Sequence, residues 1–235
     1  MKIVQPTVTL VHATPDLERV IERMGRICYQ SQHRVKTCGF CNGGRTDLAK
    51  DPAPRCPLCE GTGTDIESAR AFISMVIQNG HESVLEHAVA GFSIVTDRGV
   101  THEIVRHRLA SYSQESTRYC NYGKDQFERS IAVIEPPGLT DGLDTSNFDA
   151  WQSSMEGVEH IYLEMLDRGV TPQIARSVLP NSLKSEIGMT ANFREWRHFL
   201  RLRTSLKAHP QMREVAEMIR AELLKLSTAC FKDIP

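Results

Sequence analysis

The sequence predicts an α+β fold, and three observations carry that expectation. Segments with helical spacing and segments with strand alternation succeed one another without regular βαβ alternation, which argues against a doubly wound parallel sheet. Of 235 residues, 40% are apolar and 24% charged, close to the averages of chains that bury a core. Residues 33–64 depart from this pattern: glycines and prolines surround four clustered cysteines, and large apolar side chains are few. Such a segment needs a staple to fold. The expected organisation is a single domain over 1–235, with a cysteine-rich subdomain inserted at 33–64.

The first helix is expected from Thr14-Pro15, an N-cap followed by proline at the first helical position. Leu17, Val20, Ile21, Met24, Ile27 and Cys28 give it one buried stripe that stops near Ser31. After the insertion, Ile66, Ala69, Phe72, Ile73 and Val76 mark a helix that ends at Asn79-Gly80. Residues 88–96 alternate as a strand. A helix over about 100–109 leads into a polar turn, and residues 130–137 form a strand closed by Pro-Pro. Phe148, Trp151, Met155, Val158, Ile161 and Met165 give a long amphipathic helix ended by Gly169. Thr171-Pro172 opens a short helix that stops before Pro180. A strand at 184–191 and helices over 193–204 and 210–230 complete the chain.

Several function classes are excluded at once. With 28 Lys+Arg against 29 Asp+Glu, no overall field draws the chain to nucleic acid or acidic membranes. No apolar run nears the roughly 20 residues that span a bilayer, and the N-terminus does not read as a secretory signal; the expected location is cytoplasmic. No G-x-G-x-x-G follows a strand, and no G-x4-G-K-[ST] is present. HEIVRH at 102–107 spaces its histidines by five rather than four, which spoils one-face zinc binding.

The densest chemistry lies in HEIVRHRLASYSQESTRYCNY at 102–122. Arg106, His107 and Arg108 form a basic triplet, and His107 continues the Val100–Ile104 stripe toward the interior. Hydroxyls, an amide and a guanidinium follow. The plain reading is a helix end complementing its dipole, then a polar loop; the functional one is a cradle for phosphates and a planar ring. In NFREWRHFLRLR at 192–203, Trp196, Phe199 and Leu200 mark the buried face and Arg203 shares it, while Arg194, His198 and Arg201 lie opposite. A guanidinium on an apolar face needs a partner, either a carboxylate of the chain or an anionic ligand. Arg176 is a weaker case of the same kind.

R-H-R, seven residues, then Ser (Arg106, His107, Arg108 and Ser116) resembles the signature of the flavin-dependent thymidylate synthases. HESVLEH, ARSVLP, TANFREWRHFLRLR and AHPQMREVA are similar to that family in order and spacing, and the resemblance covers roughly residues 14–32 and 65–225. It implies an α+β fold with a central, mainly antiparallel sheet, and a homotetramer with active sites shared between subunits. It also implies FAD, reduced by NADPH, with dUMP and methylenetetrahydrofolate as substrates and no cysteine nucleophile. Carried over by position, the FAD contacts are Ser83, Arg106, His107, Arg108, Gln114, Asn192, Arg194 and His198. The dUMP contacts are Glu103, Arg106, Gln114, Glu115, Ser116, Arg118, Arg176 and Arg203, with Arg203 catalytic. Lys207 stands where other members carry His. The competing readings are a flavoenzyme acting on another pyrimidine nucleotide, or a zinc-dependent nucleic-acid-binding protein on a retired scaffold.

Cys38, Cys41, Cys56 and Cys59 form C-x2-C-x14-C-x2-C, a spacing suited to tetrahedral zinc. The stretch resembles half of the cysteine-rich zinc module of J-domain chaperones. Four thiolates leave no position for water, so the zinc is expected to be structural. Lys36, Arg45, Lys50 and Arg55 make the insert locally basic, which is weak evidence for nucleic acid. Metal loss is expected to melt the insert and spare flavin binding. Cys120 reads as a small buried residue.

Overall fold

The structure is a computed structural model that describes residues 1–43, 56–59, 61–140 and 145–234. Arg45, Lys50 and Arg55 lie outside the described residues. The alternating segment Val89–Asp97 (β3) pairs antiparallel along its whole length with Lys184–Asn192 (β6). Thr7–Ala13 (β2) flanks β3, and Ala110–Gln114 (β4) flanks β6. The result is a four-stranded antiparallel sheet in the order β2-β3-β6-β4. Lys2–Val4 (β1) and Ala132–Ile134 (β5) form a separate parallel pair.

Helices Leu17–Ile27 (α1), Ile66–Gln78 (α2), Phe193–Arg203 (α6), Pro210–Leu226 (α7) and Thr228–Phe231 (α8) bury the main core with the sheet. Trp196 anchors it: the indole is fully buried, stands edge-on to Phe92 at 5.1 Å and donates to the Ala90 carbonyl at 3.0 Å. That bond satisfies the only polar atom of the ring. A second core, with Tyr122, Ile131, Val133, Met155 and Tyr162, gathers around Ser146–Asp167 (α4), β5 and Pro172–Ala175 (α5). Arg98–Ile104 (α3) starts directly after β3, capped by Asp97, whose carboxylate accepts from Val100 N–H at 2.6 Å. Among the described residues no helix is long and apolar enough to cross a membrane.

The structure corrects several expectations. Strands β1 and β2 precede the first expected element, and residues 110–114, read as a polar turn, form β4. The helix expected over 100–109 spans Arg98–Ile104, the strand over 130–137 narrows to Ala132–Ile134, and the helix over 210–230 divides at Ser227, which caps α8 by accepting from Cys230 N–H. Asp16, not Thr14, precedes α1 as the N-cap residue, and it adopts φ 53°. Thr14 is used otherwise, its hydroxyl accepting from Val89 N–H at 2.9 Å. The buried face of α1 consists of Leu17, Glu18, Ile21, Glu22 and Gly25, while Ile27 and Cys28 are exposed. Two glutamates can occupy that face because both are partnered. Glu18 accepts from Ser227 and Arg70, and Glu22 from Ser68 and Arg26. In α4 the buried positions are Met155 and Tyr162, and Ile161 faces outward.

Candidate active site and metal centre

The basic triplet occupies the turn between α3 and β4. Arg106 and Arg108 are exposed, and among the described residues no ion pair engages them. His107 is buried, 4% exposed, as its position on the α3 stripe requires. Arg203 Nε donates to His107 Nε2 at 3.0 Å. Arg can only donate, so Nε2 accepts and the ring proton sits on Nδ1. Nδ1–H in turn donates to Glu195 Oε1 at 3.1 Å. Burial holds the imidazole below its ordinary range despite the Glu195 carboxylate, and the Arg203 guanidinium pushes the same way as burial. The neutral tautomer is thereby the one that orients Arg203.

Glu103 completes the setting. Its carboxylate accepts from Arg203 Nη1 at 2.7 Å and its carbonyl from Nη2 at 3.2 Å. The carboxylate partner that an inward guanidinium needs is supplied by the chain itself. The Arg203 side chain remains 18% exposed, so one edge of a fixed cation reaches the surface. His198 is exposed, with its ring 5.7 Å from that of His107. Asn192 caps α6, its side-chain oxygen accepting from Glu195 N–H at 2.9 Å. That cap fixes the first turn carrying Glu195.

A second group lies at the far end of β4. Ala110 pairs with Ala191, beside the α6 N-terminus, and Gln114 pairs with Ile187; four residues of strand separate the ends by roughly 13 Å. The Gln114 amide nitrogen donates to Thr101 and Ser185. Glu115 accepts from Tyr122 at 2.7 Å and Lys184 at 2.9 Å. The Ser116 hydroxyl accepts from Arg118 N–H, and Arg176 donates to Thr117 at 3.2 Å. Arg118 is exposed over the Tyr119 ring. Ser83 and Arg194, the latter in the same first turn of α6 as Glu195, line one cleft of about 770 Å³ with Phe72, Val76 and Val84. The eighteen candidate residues of the sequence analysis therefore fall into these two groups, the cleft, the exposed turn and the knuckle.

Sequence reasoning missed Glu195 and Tyr112. The Tyr112 hydroxyl donates to the His107 carbonyl at 2.6 Å and clamps the basic turn onto β4. Glu195 carried a signal, being one turn before Phe199 on the same buried face. Cys120 is only partly buried; desolvation and Glu115 raise its thiol pKa, which suits no nucleophile.

The four clustered cysteines converge. Their sulfurs all lie within 4.8 Å of one another, with Cys38–Cys56 at 3.8 Å and Cys41–Cys59 at 3.6 Å. Sulfurs on a tetrahedral metal with bonds of about 2.3 Å stand roughly 3.8 Å apart, so the set could hold a metal ion. Gly63 N–H donates to Cys59 Sγ at 3.3 Å from a backbone at φ 75°, where a Cβ would press on the Gly43 carbonyl at 3.1 Å. Against the upward push of burial, that donor and the Cys56 thiol hold Cys59 down at about 6. Burial and the neighbouring thiols push Cys41 the other way, up to about 12.

The thymidylate synthase complementing protein family matches residues 9–227. The chain belongs to this family. Similar proteins carry the name flavin-dependent thymidylate synthase. The one from Geobacter sulfurreducens is 33% identical over 215 residues, covering 91% of this chain and 80% of the relative. That from Mycolicibacterium gilvum is 32% identical over 244 aligned positions, covering 94% and 84%. A Pyrococcus abyssi relative is 36% identical over 160 residues, which span 68% of this chain and 64% of that protein. The family match runs from β2 to the α7–α8 junction, so it takes in both residue groups, the basic turn and the cleft.

Proposed function

We propose that this chain is a flavin-dependent thymidylate synthase that methylates dUMP reductively to dTMP. The observation that carries the reading is the fixed guanidinium of Arg203 beside a solvent-facing basic turn in a chain of this family. When bound, FAD reduced by NADPH supplies hydride, and methylenetetrahydrofolate supplies the carbon.

The residues fit such a cofactor. Arg106 and Arg108 are exposed guanidiniums suited to phosphate. Ser83 and Arg194 offer a hydroxyl and a cation on a cleft that Phe72, Met75, Val76 and Val84 also line, so polar groups converge beside apolar surface as in a cofactor site. Arg194 already pairs with Glu86 at 2.6 Å, but both side chains are about half exposed and such a surface pair is weak enough to exchange for a phosphate. His107, Gln114, Asn192 and His198 are assigned to the same cofactor, His107 and Asn192 by holding the α6 turn in place.

Toward dUMP, Ser116, Arg118 and Arg176 are assigned to the phosphate, and Glu103, Gln114 and Glu115 to positioning. The Arg203 guanidinium, orientated by His107 and Glu103, stabilises negative charge that develops on the pyrimidine as hydride arrives. No thiol takes part. Val105, Leu109, Tyr119, Leu202 and Leu206 are large, exposed and adjacent to these residues, with Leu206 88% exposed. An apolar rim of this kind supports a homotetramer in which subunits share the sites. The enzyme is assigned to the cytoplasm.

Purified protein is expected to be yellow, with an oxidised-flavin spectrum bleached by NADPH. Protein that stays colourless and binds no FAD by calorimetry contradicts the reading. One structural zinc per chain is expected on Cys38, Cys41, Cys56 and Cys59. Elemental analysis should find it in protein prepared without chelator and lose it on replacing Cys56 and Cys59 with Ser. Zinc-free wild-type protein from the same preparation would contradict the assignment.

A further inference from the structure

The cysteine knuckle is linked to the cleft of Ser83 and Arg194 by an unbroken set of contacts. Its two limbs meet where Cys38 N–H donates to the Gly63 carbonyl at 2.9 Å and Thr37 bridges Thr64. Lys36 N–H donates to Ser68 Oγ at 3.3 Å, and Ser68 donates to Glu22 at 2.7 Å inside the core. The same Glu22 oxygen accepts two bonds from Arg26, at 2.6 and 2.9 Å, and the Arg26 guanidinium stands 5.0 Å over the Phe72 ring. Arg26 and Phe72 line the cleft, as do His33 and Arg34 from the first turn of the insertion. His33 and Arg34 are exposed, and among the described residues no carboxylate pairs with either.

Two cationic or hydrogen-bonding groups thus face a cleft that already carries a hydroxyl and a guanidinium. Their backbone is a single 3-10 turn, Gln32–Arg34, which leads within four residues to Cys38. A turn that short has little cohesion of its own. Its position is set by α1 on one side and by the limbs that the four sulfurs draw together on the other.

We infer that the metal-loaded knuckle holds the Gln32–Arg34 turn against this cleft and so presents His33 and Arg34 to the phosphates of a bound dinucleotide. The inference rests on the flavin reading above, and FAD is therefore the ligand to test. It departs from the expectation that metal loss spares flavin binding. Removing metal frees the limbs, so the cost of ordering Arg34 falls on the binding step and affinity drops.

The experiment measures FAD affinity by flavin fluorescence quenching. It compares zinc-loaded wild-type protein, the same protein stripped with a chelator, and zinc-loaded Arg34→Ala and Arg34→Lys, with circular dichroism on each. Stripped protein and Arg34→Ala should bind FAD about tenfold more weakly, the loss of roughly one charge-assisted contact. Zinc should restore the first, and Arg34→Lys should recover most of the second. Unchanged affinity in either stripped protein or Arg34→Ala, in a preparation whose wild type binds FAD, overturns the inference. If chelation unfolds the protein, the zinc-loaded Arg34 variants decide alone. Zinc-loaded wild type that binds no FAD instead removes the flavin reading, a separate and recognisable failure.

Discussion

Replacing Arg203 with Lys is expected to lower turnover by a few hundredfold, about 3 kcal/mol of transition-state stabilisation, while the protein stays folded. Three nitrogens of the guanidinium are held, by His107 Nε2, the Glu103 carboxylate and the Glu103 carbonyl. This fixes both the position and the plane of the charge. A Lys ammonium can keep the Glu103 contact, but it has no fork to satisfy the imidazole and the carbonyl together. It would be a mobile point charge where the reaction needs a preorganised one. Steady-state kinetics on dUMP, with thermal melting alongside, checks the prediction. Turnover near that of the wild type would mean that another cation carries the role.

The largest stability effect is expected at a residue of the same helix. Arg197 is fully buried and donates to both Asp233 oxygens at 2.7 and 2.6 Å, to Glu82 at 3.3 and 3.2 Å, and to the Cys230 carbonyl. It ties the C-terminal segment to the 3-10 turn Glu82–His87. Arg197→Met keeps the volume and strands the acceptors, a loss that typically costs 3–5 kcal/mol. Asp233 is 42% exposed and Glu82 retains Arg201 at 2.6 Å, so partial rehydration places the expected value near the low end, about 3 kcal/mol. Urea denaturation measures it, and a change below about 1 kcal/mol would contradict the account.

The same cluster sets an acid limb. The Arg197 hydrogen bonds hold Asp233 below its ordinary 3.8, and Arg201 and Arg197 hold Glu82 below 4.5 against the upward push of burial. Lowered carboxylate values contribute stability that is present above the unfolded values and lost as pH falls through the folded ones. Stability should therefore decline below about pH 4.5 in the wild type, and less steeply in Arg197→Met.

How much of this was legible in the sequence depended on whether a residue's environment is set locally. The apolar face of α6, with Trp196, Phe199 and Leu200 buried, follows from helical spacing alone. The convergence of the four cysteines was legible because their paired spacing suits a single tetrahedral centre. Strand β4 was not: Ala-Ser-Tyr-Ser-Gln is polar at alternate positions, and only pairing with β6 makes it a strand. The α1 face was misread because Glu18 and Glu22 are buried by partners 46 to 209 residues away, which no local period reveals. Arg197 was hidden for the same reason, since a helical arginine reads as solvated until Asp233 and Glu82 are placed around it. Among the assigned site residues, Arg203 was legible as an inward cation, whereas its orientating partners emerged only from the packing of α3 against α6.

The assignment as a reductive dUMP methylase is decided by anaerobic turnover with dUMP, methylenetetrahydrofolate, NADPH and FAD, with dTMP followed by chromatography. dTMP should form only when all four components are present, and its formation should be unaffected by replacing Cys120 with Ser. Flavin-loaded, tetrameric protein that oxidises NADPH yet forms no dTMP from dUMP would contradict it.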